Sequence, residues 1–230
     1  MDIELQIQLY QGDCLEVMKQ IPDKSVDMVL CDLPYGTTAC SWDIVIPFEP
    51  LWNEYNRIIK DNGVVALFGQ EPFSSYLRIS NIKNYKYDWY WKKERLTNIT
   101  QVKKRAGKVI ETISIFYSKQ PIYNPQMTVY TGIPVKNKPK NGVLGKLVDS
   151  STKPVFAYED NGLRYPIQLL EFSRNCNTSE HIHPTQKPVA LLEYLIKTYT
   201  NGGGVLCWIT VWALVAQVWL VLILIVILSA

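Results

Sequence analysis

Blocks of apolar positions, separated by turn residues, divide most of the chain into short strands and helices. The predicted strands occupy positions 4–10, 26–31, 64–68, 85–91 and 109–117. Apolar residues spaced three and four apart predict helices that begin near Gly12, Pro50, Pro72 and Pro188. The pair Asn62-Gly63 is typical of a helix end and is predicted to stop the second helix. Because strands and helices alternate, the sequence predicts an α/β fold with a mostly parallel sheet between layers of helices.

The apolar run at 26–31, broken only by Asp27, leads directly into Asp32-Leu33-Pro34-Tyr35-Gly36. This order predicts a buried strand that ends in a tight turn. Such a turn places an acid and an aromatic ring at the carboxyl edge of the sheet, where open α/β sheets bind their ligands. An acid can accept hydrogen bonds from an exocyclic amine while a ring stacks on the base that carries it. The alternative is an ordinary turn without a functional role, in which Asp32 is solvated.

Composition sets limits on the partners of the chain. Its 230 residues fit one large domain or two small ones, and 47% of them are hydrophobic, as in an ordinary globular core. A net charge of +3 permits a polyanionic partner without requiring one. The five cysteines show no paired short spacing, which indicates neither a zinc site nor a disulfide framework. We therefore expect no metal, reduced thiols and a cytoplasmic location.

Basic residues follow the aromatic stretch at 89–91. The candidate DNA-binding residues are Lys92, Lys93, Arg95, Lys103, Lys104 and Arg105. Positive charge beside aromatic rings suits phosphate contacts and base stacking, although such runs are more often solvated surface. The proline-rich stretch at 119–161 is too long for a plain connection, so we expect it to contact substrate; a mobile insertion without a role is the alternative.

Three short motifs resemble those of the β-class amino-methylating DNA methyltransferases. Positions 32–35 resemble the family's Asp-Pro-Pro-Tyr motif, with Leu33 in place of the first proline. The stretch His183-Pro184-Thr185-Gln186-Lys187-Pro188 resembles the family's late motif near the methionine end of S-adenosylmethionine. Gly12-Asp13-Cys14 resembles its amino-terminal segment near the cofactor's adenine. The motifs follow the β-class order, in which the catalytic motif precedes the late one.

The resemblance implies a circularly permuted, three-layer Rossmann-like methyltransferase sheet that is incomplete at its carboxyl end. It implies S-adenosylmethionine as cofactor, double-stranded DNA as partner and methylation of a flipped base. The implied catalytic residues are Asp32, Leu33, Pro34 and Tyr35. The implied cofactor-binding residues are Asp13, Cys14, His183, Pro184, Thr185, Gln186 and Lys187. The implied domain spans 1–204, with a target-recognition insertion at about 92–160.

Within that family, Asp32 favours adenine N6 over cytosine N4, and both stay open. A restriction–modification system and a phage or mobile-element methylase would both fit such an enzyme. An inactive DNA-binding remnant is a further alternative, because no family-type glycine-rich cofactor loop follows Asn201. Methylation of RNA or of a protein glutamine ranks lower, since those relatives tend to carry Asn at the position of Asp32.

The tail at 205–230 carries no charged residue. An apolar run of this length, with only Thr210 and Gln217 clearly polar, is typical of a transmembrane anchor. A frameshift in the coding sequence near positions 201–206 would also explain the apolar tail. In the alternative frame, the junction of Trp208 and Ile209 must encode Asp and that of Trp212 and Ala213 must encode Gly, as in the family's cofactor loop. We favour the frameshift, because a DNA-handling domain gains little from a membrane tether.

Overall fold

The computed structural model describes residues 10, 12–37, 43–130, 162–173, 187–201, 205–215 and 218–228. The predicted strand at 4–10 lies almost wholly outside these residues. Positions 183–186 of the late motif, and most of the proline-rich stretch, lie outside them as well.

The described elements follow one another in a mixed order of helices and strands. The helices are α1 (Cys14–Met18), α2 (Phe48–Ile58), α3 (Phe73–Ser80) and α4 (Val189–Tyr199). The strands are β1 (Val26–Asp32), β2 (Ile59–Gly69), β3 (Tyr85–Lys92), β4 (Ile110–Phe116), β5 (Thr128–Val129), β6 (Leu163–Arg164), β7 (Leu169–Glu171), β8 (Val205–Val215) and β9 (Val218–Leu228).

The main sheet has the strand order β7-β3-β4-β2-β1-β8-β9. Strand β1 pairs in parallel with both β2 and β8, and β3 pairs in parallel with β7. Strand β4 runs antiparallel to both β2 and β3, and β9 runs antiparallel to β8. The expected mostly parallel sheet is therefore a mixed one. The reason is local: the connection from β3 to β4 returns the chain without a crossover helix, and such a return makes an antiparallel pair.

The two faces of β1 contribute to two separate cores. Val29 and Cys31 pack into the core beneath α1, α2 and α3, whereas Met28 and Leu30 pack on the face that α4 covers. Successive residues of a strand point to opposite faces, so a run that is apolar at every position must be buried on both. The helices thus lie on both faces of the sheet, and the predicted three-layer α/β fold is confirmed.

The predicted end of the second helix is wrong. Helix α2 begins at Phe48, before Pro50, and ends at Ile58, and Asn62-Gly63 lies inside strand β2. Ile59 pairs with Val26, but the next paired residues are Met28 and Val64. The strand therefore holds an irregular stretch between two paired positions, and the turn-forming pair is accommodated there rather than at the helix end.

The apolar tail forms two strands. β8 lies beside β1 in the main sheet, and β9 folds back along β8. Among the residues that the structure describes, no helix is both long and apolar enough to cross a membrane.

Contacts divide the chain into two compact units. One comprises Met1–Asn124 and Ile167–Ala230, and it contains the main sheet; the other comprises Pro125–Pro166 and contains the β5–β6 pair. The recognition insertion predicted at about 92–160 overlaps both units, because β4 is an inner strand of the main sheet. The boundaries of that insertion stay a prediction.

Candidate active site

The turn after β1 is held by hydrogen bonds from its own backbone. Leu33 and Pro34 are buried, and Gly36 has φ +66°. The amide N–H groups of Gly36 and Thr37 each donate to a carboxylate oxygen of Asp43 at 2.8 Å. A left-handed residue without a side chain is needed here, since a Cβ on Gly36 would lie 2.9 Å from Val45 Cγ2. The turn fixes where Asp32 and Tyr35 leave the sheet edge.

Both carboxylate oxygens of Asp32 are bound. The Tyr35 hydroxyl donates to Asp32 Oδ1 at 2.7 Å, and Lys187 Nζ donates to Asp32 Oδ2 at 2.7 Å. Short hydrogen bonds to an ionised group are the strong ones and restrict its orientation. The carboxylate is therefore oriented from two sides.

Glu111, on strand β4, completes this cluster. Its Oε1 lies 2.9 Å from the Tyr35 hydroxyl and 2.8 Å from Lys187 Nζ, and its Oε2 lies 2.5 Å from Lys93 Nζ. The Glu111 side chain is only 3% exposed. Sequence reasoning missed it, although one signal was available: a lone acid inside a predicted strand that is otherwise mainly apolar.

The cluster balances its own charge. Two carboxylates face two ammonium groups, and the latter also lie near aromatic rings: Lys187 Nζ is 5.1 Å from the Phe68 ring centroid, and Lys93 Nζ is 5.4 Å from that of Trp91. Buried charges persist only when they are paired in this way. We refer to Asp32, Tyr35, Lys93, Glu111 and Lys187 as the carboxylate–lysine cluster.

Ionisation within the cluster follows from these contacts. Burial alone would raise the pKa of Glu111, but the charges and hydrogen bonds of Lys187 and Lys93 lower it to about 2. Burial would lower the pKa of Lys187, yet the Asp32 and Glu111 carboxylates raise it. Burial, with Asp32 and Glu111 adding to it, raises the pKa of the Tyr35 hydroxyl well above its ordinary value. At neutral pH, Glu111 is charged, Lys187 is charged and Tyr35 keeps its proton.

The Tyr35 ring is supported by other aromatic side chains. Its centroid lies 5.1 Å from that of Phe73 with 30° between the ring planes, and Phe73 in turn contacts Phe48 at 5.8 Å. Such contacts hold a ring in a fixed plane.

The residues predicted for the cofactor are distributed differently. Asp13 is exposed and caps α1, accepting from the Leu15 N–H at 2.8 Å. Cys14 is buried in the same core as Leu33, and burial, followed by the nearby Asp13 charge, raises the pKa of its thiol to about 12. Lys187 belongs to the carboxylate–lysine cluster. His183, Pro184, Thr185 and Gln186 lie outside the described residues.

The predicted DNA-binding residues fall into two groups. Lys93 is bound to Glu111 with 13% of its side chain exposed, and Lys92 makes an exposed ion pair with Glu171 at 2.8 Å. Arg95, Lys103, Lys104 and Arg105 are exposed in the connection between β3 and β4. Of the three aromatics at 89–91, Trp89 and Trp91 are buried in the core and Tyr90 is exposed.

Asn98 orders the connection that carries these basic residues. Its side chain donates to the Ala106 carbonyl at 3.1 Å and accepts from the Lys108 N–H at 2.6 Å. Within the described part of the chain, no group of three or more His, Cys, Asp or Glu side chains could hold a metal ion.

Comparison with known proteins gives consistent results. A family profile described as DNA methylase, of the N6/N4 type, matches residues 26–207. The chain is 26% identical over 212 residues to the DNA adenine methyltransferase YhdJ of Escherichia coli, covering 86% of this chain and 68% of that protein. It is 24% identical over 216 residues to the type II methyltransferase M.HpaI of Haemophilus parainfluenzae, covering 84% of this chain and 60% of that enzyme.

Solved structures show a similar fold. The PvuII DNA methyltransferase, described as cytosine-N4-specific, matches with a TM-score of 0.56 and 16% identity, covering 86% of this chain and 71% of that one. The M1.HpyAVI–SAM complex matches with a TM-score of 0.52 and 20% identity, covering 90% of this chain and 84% of the other. The family profile spans most of the chain, and it includes the turn that holds Asp32 and Tyr35. The chain belongs to the N6/N4 family of DNA methylases.

Proposed function

We propose that this chain transfers a methyl group from S-adenosylmethionine to the N6 amine of an adenine that has been flipped out of double-stranded DNA. The observation that carries the proposal is the pairing of Asp32 with Tyr35 at the carboxyl end of β1. A hydrogen-bond acceptor for an amine and a ring that can stack on its base lie side by side there. Base flipping is required, because an exocyclic amine inside a duplex cannot be reached.

In this proposal the turn orients the amine. The Asp32 carboxylate and the backbone carbonyl of Leu33 accept its two hydrogens, which directs the nitrogen lone pair away from the turn. Leu33 serves as well as proline would, because only its carbonyl is used. Tyr35 stacks on the base. Fixed geometry of this kind is a large part of catalysis, since it removes the entropy cost of aligning the reactants.

The residues of the chain fit the cofactor in part. The exposed carboxylate of Asp13 uses Oδ1 on the Leu15 N–H and can still accept a hydrogen bond from an adenine amine. When bound, S-adenosylmethionine supplies a methyl group that its own positive sulfur makes electrophilic. The chain's contribution is to bind, orient and exclude water. Lys187, which we expected at the cofactor, is engaged by Asp32 and Glu111.

Adenine is proposed over cytosine on two grounds. Asp32 occupies the position where cytosine-N4 enzymes of the family more often carry Ser, and the similar protein YhdJ is named as an adenine methyltransferase. The likeness to PvuII methyltransferase concerns the fold. Digesting the methylated DNA to nucleosides and separating them will distinguish the two products. We expect N6-methyladenine. Detection of N4-methylcytosine instead would show that the target base is cytosine.

Replacing Asp32 tests the proposal directly. The purified 230-residue protein is incubated with polymerase-amplified, and therefore unmethylated, DNA and with tritiated S-adenosylmethionine. We expect Asp32→Asn to lower kcat by about a hundredfold or more, since one oriented acceptor is lost from the reacting amine. Asp61→Asn is the matched control, because Asp61 is also paired with lysines but is 61% exposed.

The control variant is expected to methylate DNA as fast as the unmodified protein. Full activity of Asp32→Asn would contradict the assignment of the base site. An inactive 230-residue protein would support the alternative of a non-catalytic remnant, and calorimetry with S-adenosylmethionine would then show whether cofactor binding has been lost.

A further inference from the structure

The Tyr35 hydroxyl has one proton and two carboxylates within reach of it. Asp32 Oδ1 lies at 2.7 Å and Glu111 Oε1 at 2.9 Å. A phenol donates a single hydrogen bond, so only one of these oxygens receives a full bond at any moment. The hydroxyl can exchange one acceptor for the other by turning about its C–O bond, without movement of the ring.

The choice between these acceptors affects how strongly Asp32 can hold an amine. With the Tyr35 proton on Oδ1 and Lys187 on Oδ2, both oxygens of Asp32 already accept a short hydrogen bond. A carboxylate that is shared among donors binds each of them less strongly. An amine that arrives at Asp32 therefore competes with the Tyr35 hydroxyl for the negative charge of Oδ1.

Glu111 can accept the hydrogen bond of the Tyr35 hydroxyl when an amine binds Asp32. Its two oxygens are held by Lys187 at 2.8 Å and Lys93 at 2.5 Å, and the side chain is 3% exposed. Because the lysines fix its position and water scarcely reaches it, the carboxylate need not move or lose a hydration shell to accept the proton. Preorganised groups of this kind assist a reaction without a reorganisation cost.

We propose that Glu111 is a positioning residue, which accepts the hydroxyl hydrogen bond of Tyr35 when the target amine takes its place on Asp32. This inference rests on the proposed function, because it assumes that Asp32 binds the amine. No covalent bond changes in the step: one O–H···O contact is exchanged for another, and an N–H···O contact forms at Asp32. Lys187 contacts both carboxylates and keeps them at a constant separation throughout.

A double-mutant cycle tests the exchange. Glu111→Gln leaves a neutral amide, which is a weaker acceptor than a carboxylate, so the Tyr35 proton stays on Asp32. We expect this variant to lose about tenfold or more in kcat/KM for DNA, with a higher KM. Tyr35→Phe removes the competing hydroxyl and keeps the ring; its own effect on kcat/KM is measured first and sets the reference against which Glu111 is replaced a second time.

The double variant Tyr35→Phe/Glu111→Gln gives the decisive result. If Glu111 acts through the Tyr35 hydroxyl, its replacement costs at most about threefold once the hydroxyl is absent, so the two effects are not additive. If Glu111 only neutralises the two lysines, its replacement costs the same factor in both backgrounds, and the inference is overturned. Glu193→Gln is the matched control, since Glu193 is an exposed partner of Lys197 on α4 and lies outside the site.

The same assay separates this inference from the function on which it rests. Full activity of Asp32→Asn contradicts both. If Asp32→Asn loses activity and the effects of Tyr35→Phe and Glu111→Gln are additive, only the role of Glu111 is contradicted. If Glu111→Gln does not fold, as judged by thermal unfolding, Glu111→Asp takes its place in the cycle, because it keeps the charge and shortens the side chain by one methylene. A loss in kcat/KM that disappears in the Tyr35→Phe background supports the exchange, and an equal loss in both backgrounds overturns it.

Discussion

Glu111 stays ionised in a nearly closed site because two ammonium groups hold it there, and this links its charge to the stability of the fold. Lys187 and Lys93 lower its pKa to about 2, against 4.5 for an ordinary glutamate. A carboxyl group whose pKa is lower in the folded state stabilises the fold above its unfolded pKa and loses that contribution as the pH falls towards the folded value. The difference corresponds to a stabilisation on the order of 3 kcal/mol at neutral pH.

We therefore expect the unmodified protein to exceed Glu111→Gln in its free energy of unfolding near pH 7, and the excess to shrink between about pH 5 and pH 2. Urea titrations of both proteins across this range provide the measurement. Glu193→Gln serves again as the control, because an exposed pair on α4 contributes little at any pH. An excess that is constant or grows on acidification would show that the Glu111 charge is not what stabilises the cluster.

At the residue scale, the sequence is sufficient for Asp32 and Tyr35 but not for their partners. Both follow a buried strand within one tight turn, so local pattern alone places them at the sheet edge. Tyr35 and Glu111 are 76 positions apart, and Asp32 and Lys187 are 155 apart. These pairs form only once β1, β4 and the start of α4 are assembled, and a pattern read along the chain carries no information about that.

Helix α4 closes one face of the sheet, and its stability depends on which of its residues face the strands. Leu195 is fully buried against the core that contains Met28, whereas Val189, the first residue of the helix, is 60% exposed. Leu195→Ala is expected to lower the free energy of unfolding by about 2–5 kcal/mol, from lost burial and the cavity left behind. Val189→Ala removes a similar kind of side chain and is expected to change stability by less than about 1 kcal/mol.

Chemical denaturation of the two variants gives both values. Similar losses at the two positions would mean that α4 does not pack on the sheet through Leu195. A large loss confined to Leu195→Ala would support the placement of Lys187 as well, because α4 begins at Val189, two residues after it, and the packing of the helix fixes where Lys187 can reach.

Element boundaries could be predicted where one signal dominates and not where two compete. The apolar runs at 28–31 and 64–68, which became most of β1 and the second half of β2, left no alternative to buried strands. At 59–63, however, a helix-stop pair followed a helical pattern, and the preference of Asn62-Gly63 for a turn was outweighed by the pairing of Ile59 with Val26. Tertiary pairing is a long-range effect, so local propensity cannot anticipate it.

The direction of strand β8 indicates where the loop of the proposed alternative reading frame would lie in the molecule. Ile209 lies opposite Leu30 in a parallel pair, so the chain beyond it runs towards the sheet edge that holds Asp32. A glycine-rich turn encoded there in the alternative frame would face the site where we propose the cofactor binds. Sequencing the gene tests this: we expect small residues and glycines between and after the two forced codons, and bulky residues or a stop codon there would rule the proposal out.

Among the described residues around β3, exposed basic side chains are more numerous at and beyond its carboxyl end than at its start, and this difference predicts where DNA binds the molecule. The exposed basic residues at the carboxyl end are Lys92, Arg95, Lys103, Lys104 and Arg105, against Lys83 and Lys86 at the start of the strand. Each phosphate contact that is lost lowers the dependence of log Kd on log salt by about 0.9. Lys103→Ala/Lys104→Ala is therefore expected to weaken DNA binding and to reduce that slope by roughly 2.

Lys83→Ala/Lys86→Ala removes the same charge from the other end of the same strand, so it controls for net charge. Fluorescence anisotropy with a labelled duplex at several salt concentrations measures both slopes. If the two double variants lose affinity equally, the +3 net charge attracts DNA without a defined surface, and the connection between β3 and β4 has no special role in binding it.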